Sequence, residues 1–332
     1  MFGVKFEEIV SMENLLEAWG EFLAGKRNKS DVQTFRENLL ENIRLLHDDL
    51  VAYRYQHGAY YHFTITDPKP RDIHKASVRD RLLHHAIHRK LYPFFDRVFV
   101  ADSFSCREER GTHKAMERFR YFARSVSRNG TRTCWVLKLD VRKFFASIDH
   151  SVLLSILYNR IPDLSTMWML ERIVSSFTGV GTGRGLPLGN LTSQLFANVY
   201  MNELDQFVKH RLRAKHYIRY ADDFVLLHED RGALIRQLHQ IEEFLWNALQ
   251  LRLHPKKIEL RTYTSGVDFL GWIHFSDHRV LRKASRDRMF RRLTEKPTEQ
   301  VFSSYSGLLR HGNTKMVSEE LANVYWMFAE KE

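Results

Sequence analysis

The sequence predicts an α+β fold. Helical periodicity marks the N-terminal part and the tail from residue 276 onward. Short strand-like runs lie between them, and the two kinds of element do not follow a regular βαβ alternation. With 332 residues, 44% of them apolar and 13% aromatic, the chain can bury a substantial core. No repeat, low-complexity tract or long Pro/Gly/Ser linker interrupts it, so its subdomains are expected to pack as one body.

Taken in order, Ser11 is placed to cap the helix "MENLLEAWGEFLAG". "DVQTFRENLLENIRLLHDDLVAY" repeats apolar residues at Phe35, Leu39, Leu40, Ile43 and Leu46, which predicts one long helix. "AYYHFTITD" (59–67) reads as a strand, and "PKPR" (68–71) as a turn carrying two cations. From Lys75 to Leu91, Val78, Leu82, Leu83, Ala86, Ile87 and Leu91 form one helical stripe. Arg79, Arg81, His88, Arg89 and Lys90 lie mostly off it. "TCWVLKLDV" (133–141) is a strand, and "FFASIDHSVLLSIL" leads into a helix. "GLPLGNLTSQ" (185–194) is a loop that enters the helix "LFANVYMNELDQFVKHRL". Residues 217–228 hold two strand-like runs meeting at Asp222 and Asp223, and 231–250 is an amphipathic helix. "VDFLGWIHF" (267–275) is strand-like again.

The net charge of +11 points to a polyanionic partner. Cys106 and Cys134 fit no C-x-x-C or zinc pattern and are expected to be reduced packing residues. No signal peptide and no run of about 18 apolar residues is visible, so a soluble cytoplasmic protein without membrane contact is expected.

The acids carry the chemistry. Asp140 ends an apolar strand, and Asp222 and Asp223 stand where two strand-like runs meet, which suits a hairpin. If those strands share a sheet, three carboxylates converge at one end of it. Three close negative charges need a cation, and oxygen donors without histidine or cysteine suit Mg²⁺ or Mn²⁺. Two such ions can activate a hydroxyl and stabilise a leaving pyrophosphate, a role for which polymerases are a standard example. A plain Asp-rich turn is the competing reading. His84 and His88 have helical metal-ligand spacing but lack a third ligand, so they are expected at the surface or facing nucleic acid. "GTGRG" follows no strand of a βαβ unit and is not a dinucleotide loop.

Seven ordered blocks resemble reverse transcriptases. "YADD" (220–223) resembles their catalytic box and "LDVRKFF" (139–145) their first metal-binding motif. "PKPRDIHKASVRDRLLHHAI" (68–87) resembles the fingers motif and "SFSCREERGTHKAM" (103–116) the next block. "GLPLGNLTSQLFANVY" (185–200) resembles the loop-helix that holds template and nucleotide, "LHPKKIEL" (253–260) the lysine-bearing motif and "FLGW" (269–272) the primer grip. The resemblance implies a right-hand polymerase fold: N-terminal helices and fingers over 1–130, palm over 131–275, and a short helical thumb over 276–332. It also implies RNA-directed DNA synthesis from dNTPs, with a cDNA/RNA duplex as product.

Carried over residue by residue, Asp140, Asp222 and Asp223 would bind two Mg²⁺ ions, with the Val141 backbone assisting. Lys69 and Arg71 would grip the triphosphate, unless they form a solvated basic turn. Phe145 would exclude a ribose 2′-hydroxyl, with core packing the alternative. Lys256 would approach the phosphates, unless it only ends a helix. Phe269, Leu270 and Gly271 would hold the primer, and Arg282, Lys283 and Arg286 the duplex backbone.

With 57 residues after Phe275, a compact helical thumb is expected and no RNase H or endonuclease domain. The loop reads L-G-N-L-T-S-Q where many reverse transcriptases carry a Q-G-x-x-x-S-P-type sequence. Leu188 precedes the glycine and Gln194 stands where proline is usual. That signature resembles diversity-generating retroelements, whose enzymes copy a template-repeat RNA with errors at adenines and feed mutagenic retrohoming into a variable repeat. The resemblance further implies structured RNA flanks and a small basic accessory variability protein, an oligomer. The basic helix faces at 75–91 and 279–292 are the candidate contact surfaces. Leu188 either loosens nucleotide discrimination, together with Arg71, or packs under the loop. The alternatives are a retron or phage-defence reverse transcriptase and a non-catalytic RNA-binding protein on the same scaffold.

Overall fold

A computed structural model describes residues 3–67, 69–179 and 181–329. Four helices open the chain: α1 (Phe6–Val10), α2 (Met12–Phe22), α3 (Ser30–Glu37) and α4 (Leu39–Val51). Ser11 caps α2 as expected, accepting a hydrogen bond from the Asn14 amide. The single long helix expected from residue 31 is instead two. The chain breaks at Asn38, whose side chain makes no cap, and Leu40 is 68% exposed rather than on the core stripe.

The hairpin β1 (Tyr61–Ile65) and β2 (Arg71–Lys75) follows, paired from Tyr61↔Lys75 to Ile65↔Arg71. Then come α5 (Val78–Val98), capped by Ser77, and α6 (Thr112–Ser127). The palm contributes β3 (Trp135–Asp140), α7 (Phe144–Ser147), α8 (His150–Tyr158), α9 (Leu164–Ser175) and α10 (Leu191–Gln206). A π-helical turn extends α10 over Phe207–Arg211. After it come β4 (Tyr217–Tyr220), β5 (Asp223–His228), α11 (Arg231–Leu249) and β6 (Glu259–Thr262). "VDFLGWIHF" is not one strand but a hairpin, β7 (Val267–Phe269) and β8 (Trp272–His274). Leu270 and Gly271 form its turn, with φ of 53° and 85°. Then β9 (Arg279–Leu281) pairs with β8, so this sheet crosses the boundary drawn at 275. The thumb helices are α12 (Lys283–Glu295), α13 (Glu299–Leu309) and α14 (Lys315–Ala329).

The four-stranded palm sheet runs β4-β5-β3-β6, and its three registered pairings are antiparallel. Its middle strands are apolar on both faces because both faces are covered. Leu137, Leu139, Phe224 and Leu226 join the large core with α5, α8, α10 and α11. Val136, Ile218, Val225 and Leu227 pack under α6 with Phe119 and Phe122. Thus α6, assigned to the N-terminal unit by the sequence boundary at 130, packs on the palm.

Two expectations fail here for reasons of packing. Cys134 is buried, but Cys106 is exposed, its sulfur 3.5 Å from the Ser105 hydroxyl. His84 is 1% exposed inside α5, not at the surface, and neither ring nitrogen has a hydrogen-bond partner among the described residues. His57 stacks on it at 5.4 Å. His88 is half-buried and stacks on Tyr92 at 4.9 Å. Burial first, and the neighbouring His57 next, push His84 down to about 3. The unfolded chain therefore takes up the His84 proton near pH 6.5 while the native state refuses it until about 3. Stability is fully present above pH 6.5 and falls below it, by at most about 1.4 kcal/mol per pH unit for this group. His84→Leu is expected to flatten that acid-side slope, read from urea midpoints between pH 4 and 7. An unchanged slope would show that His84 does not contribute.

Among the described residues no helix is long and apolar enough to cross a membrane.

Candidate active site

β3 and β5 pair in a register that sets Asp140 directly against Asp223. Directly opposed residues share a face of the sheet, so both carboxylates stand on one side at one end. β4 pairs with β5 so that Tyr220 faces Asp223, leaving Ala221 and Asp222 as the two-residue link. Ala221 takes φ of 56°, costly for a residue with a Cβ. The Asp222 carbonyl accepts from the Val141 amide at 3.3 Å, which ties the hairpin to the end of β3.

Beneath the hairpin lies a buried charge network. Arg219 and Asp205 are both 0% exposed and paired at 2.6 Å. The Arg219 guanidinium also donates to Asn198, to the Ser103 hydroxyl and to the Ala221 carbonyl, the last at 3.1 Å. Tyr217 donates to Asp205 at 2.7 Å. Arg219 was not singled out by sequence reasoning. The available signal was an arginine at a sheet position flanked by buried residues, which demands a buried partner.

The electrostatics are those of carboxylates short of a counter-charge. Burial first, then Asp222 and Asp140, push Asp223 up to about 7. Burial and Asp140 raise Asp222, with Lys257 and Arg71 pulling it back. Asp140 is 5% exposed, and Lys257 donates to its Oδ2 at 2.6 Å. Lys257, rather than Lys256, therefore reaches the carboxylates. Lys256 is exposed on the single turn Pro255–Lys257, and the His254 amide fastens that turn to the Asp140 carbonyl at 2.7 Å. Among the described residues no three His, Cys, Asp or Glu side chains already form a metal-holding group. The donor set is nonetheless all oxygen, the type that hard divalent cations take.

A cavity of about 630 Å³ opens beside Asp223, lined also by Lys69, Arg71, Lys138, Leu270, Gly271 and Arg282. The fingers turn, one palm carboxylate and the β7–β8 turn therefore meet in one cleft. Phe269 does not join them: it is 0% exposed, a core residue under α6. Phe145 is half-buried next to Phe144, ring centroids 5.3 Å apart, and its carbonyl accepts from the Leu186 amide at 2.8 Å. The Leu188 carbonyl accepts from the His74 amide at 3.0 Å. Gly189, at φ of 105°, lies so close to Ile73 that a Cβ would sit 2.9 Å from it. These contacts lock the loop against the fingers hairpin. Leu188 is half-buried, and Gln194 is exposed on the first turn of α10.

Several cations named from sequence are committed elsewhere. Arg79 pairs with Asp49, Arg81 with Asp31, and Arg89 with Glu17 and Glu21, so the N-terminal helices neutralise much of the basic face of α5. Arg282 pairs with Asp268 at 3.1 Å and Arg286 with Glu320, while Lys283 is exposed and makes no ion pair among the described residues.

A family profile described as reverse transcriptase (RNA-dependent DNA polymerase) matches residues 66–274. The chain belongs to the reverse transcriptase family. Protein YkfC of Escherichia coli K12 is 26% identical over 313 residues, covering 82% of this chain and 79% of YkfC. The group II intron-encoded protein LtrA of Lactococcus lactis is 24% identical over 186 residues, 52% of this chain and 29% of LtrA. Among solved structures, telomerase from Candida albicans with a fragment of telomeric RNA superposes at TM-score 0.51 and 12% identity. That match covers 86% of this chain and 59% of the telomerase. Apo telomerase from Candida tropicalis gives 0.53 and 12%, covering 82% and 57%. The chain thus spans most of YkfC but under two thirds of LtrA and of the telomerases. The fold is the right-hand polymerase fold, mixed helix and antiparallel sheet.

Proposed function

We propose that this reverse transcriptase copies RNA into cDNA from dNTPs at the Asp140–Asp222–Asp223 end of the palm sheet. The observation that carries the reading is the register Asp140↔Asp223 with Asp222 on the adjoining turn. These carboxylates, with the Val141 backbone, would hold two divalent cations, Mg²⁺ or Mn²⁺. When bound, such ions supply charge stabilisation at the attacking and leaving oxygens. Lys257 balances Asp140 in their absence and is free to turn toward the phosphates once Asp140 is engaged. Lys69 and Arg71 donate to the triphosphate across the cleft. The Leu270–Gly271 turn steadies the primer end, and Lys283 is free for the duplex backbone. Phe145 stands against the sugar, so Phe145→Ala is expected to raise rNTP incorporation relative to dNTP by about tenfold or more. An unchanged ratio in primer extension would assign Phe145 to packing alone.

Within the family, we propose the diversity-generating retroelement type. The L-G-N-L-T-S-Q loop supports it. An apolar side chain at Leu188, on a loop fixed to the fingers by its own carbonyl, offers no hydrogen bond with which to test an incoming base. On this reading the enzyme copies a template-repeat RNA inaccurately at adenines, with structured RNA flanks and a small basic accessory oligomer as partners. Sequencing cDNA made on an adenine-containing RNA tests it: errors should concentrate at adenines and fall in Leu188→Gln. Uniform errors, or an unaltered spectrum in the variant, would remove the assignment.

A further inference from the structure

The net charge of +11 has to be exposed somewhere, and much of the basic face of α5 is neutralised by N-terminal acids. One row of cations without ion pairs lies along α6. Arg120 and Arg124 are four residues apart on one face of α6, and Arg128 follows at its C-cap in the left-handed region. All three are exposed, and none makes an ion pair or side-chain hydrogen bond among the described residues.

The row ends in a cavity at each side. Arg120 lines one of about 420 Å³ with Arg279, Arg310 and His311, where Asp277 is the sole lining acid and is paired with His278, while Glu117 of α6 acts on Arg279 and His311 from beside it. Arg128 lines one of about 460 Å³ with Arg213, Lys215 and His216, where Glu229 is the sole acid and is paired with Arg132. Both cavities lie apart from the candidate active site. The second lies at the His228 end of β5, five residues and roughly 17 Å from Asp223. The first lies at the Phe275 end of the β7–β8 hairpin, opposite the Leu270–Gly271 turn. Neither cavity shares a lining residue with the cleft at Asp223.

We infer that the α6 row and its two flanking cavities bind the sugar–phosphate backbone of a base-paired RNA segment outside the copied strand. Cations strung along a helix rather than converging on a point suit a polyanion, not a single anion. Arg and Lys without acids between them suit phosphate, and exposure suits a partner recognised by backbone shape rather than base edges. Tyr121, 61% exposed on the same helix, carries the Arg118 guanidinium over its ring at 5.3 Å beside the row. The inference rests on the chain acting on RNA and names where RNA beyond the template docks.

The test compares the full chain with the triple variant Arg124→Gln, Arg128→Gln, Lys215→Gln. Two primed RNAs carry the same unstructured template, one of them joined to a 20-base-pair hairpin. Fluorescence anisotropy over a salt series gives affinities, and primer extension gives activity. Wild type should prefer the hairpin RNA. The variant should lose about tenfold or more of that affinity, with a salt slope shallower by about 2 to 3, and keep its extension of the hairpin-free template. Arg124→Lys with Arg128→Lys should retain binding, which separates charge from folding. Four outcomes overturn the proposal: no hairpin preference in wild type, unchanged hairpin affinity in the variant, equal loss on both RNAs, or loss of a self-associated dimer with RNA affinity unchanged. Absence of extension by wild type on the hairpin-free template would instead count against the polymerase reading, independently of hairpin binding.

Discussion

Replacing Asp223 with asparagine is expected to lower metal-dependent dNTP incorporation by about a thousandfold or more while leaving the apo protein no less stable at pH 8. The two halves of this expectation have one origin. Asp223 is pushed up to about 7 by burial and by Asp222 and Asp140. A carboxyl whose native pKa exceeds its unfolded value holds its proton more tightly when folded, so ionising it costs stability. That cost is absent below pH 4, grows between about 4 and 7, and is complete above 7. Asparagine removes it, so the variant gains over wild type at pH 8 and the gain shrinks toward pH 4. The same substitution removes a negative oxygen donor, so added Mg²⁺ should stabilise wild type and leave the variant nearly unmoved. Thermal denaturation in EDTA and in Mg²⁺ at pH 5 and 8, beside primer extension, reads all of this. A variant that still extends primers, or loses more stability at pH 8 than at 5, would contradict the assignment.

Much of this site was legible because its signals are local. The near-continuous apolar runs in "WVLKLD" and "DFVLLH" mark strands buried on both faces, and each run has an acid at one end. What was not legible depends on tertiary geometry. Lys256 and Lys257 are adjacent, and only the bond from the His254 amide to the Asp140 carbonyl decides which one reaches the carboxylates. His84 looked like a surface histidine because its helix carries many cations, yet His57 and the chain before β1 cover it. The cations of α5 looked free because their partners lie some thirty to seventy residues earlier, on α2 to α4. Phe269 sits inside a motif associated with the primer, but strand alternation turns it into the core and leaves Leu270 and Gly271 at the cleft.

Arg219 gives the second large effect, and here two roles can be separated. Arg219→Met leaves Asp205 buried, charged and without its cation, which is expected to cost about 3–5 kcal/mol of stability. Removing the charge from both partners, in Arg219→Met with Asp205→Leu, replaces the pair by apolar groups of similar size and should recover much of that loss. Activity should not recover with it. The guanidinium also holds the Ala221 carbonyl, and Ala221 keeps φ of 56° next to the candidate metal ligands. Methionine offers no donor, so the turn is free to relax and carry Asp222 and Asp223 off their register with Asp140. Since positioning errors of about 1 Å can cost around a hundredfold in rate, the double variant should fold well and extend primers poorly. The deficit should fall mainly on turnover and on the Mg²⁺ concentration required, with primer–template affinity little changed. Denaturant midpoints report the stability of both variants, and single-turnover extension over a Mg²⁺ series reports the site. If the double variant regains stability and activity together, Arg219 serves the fold alone.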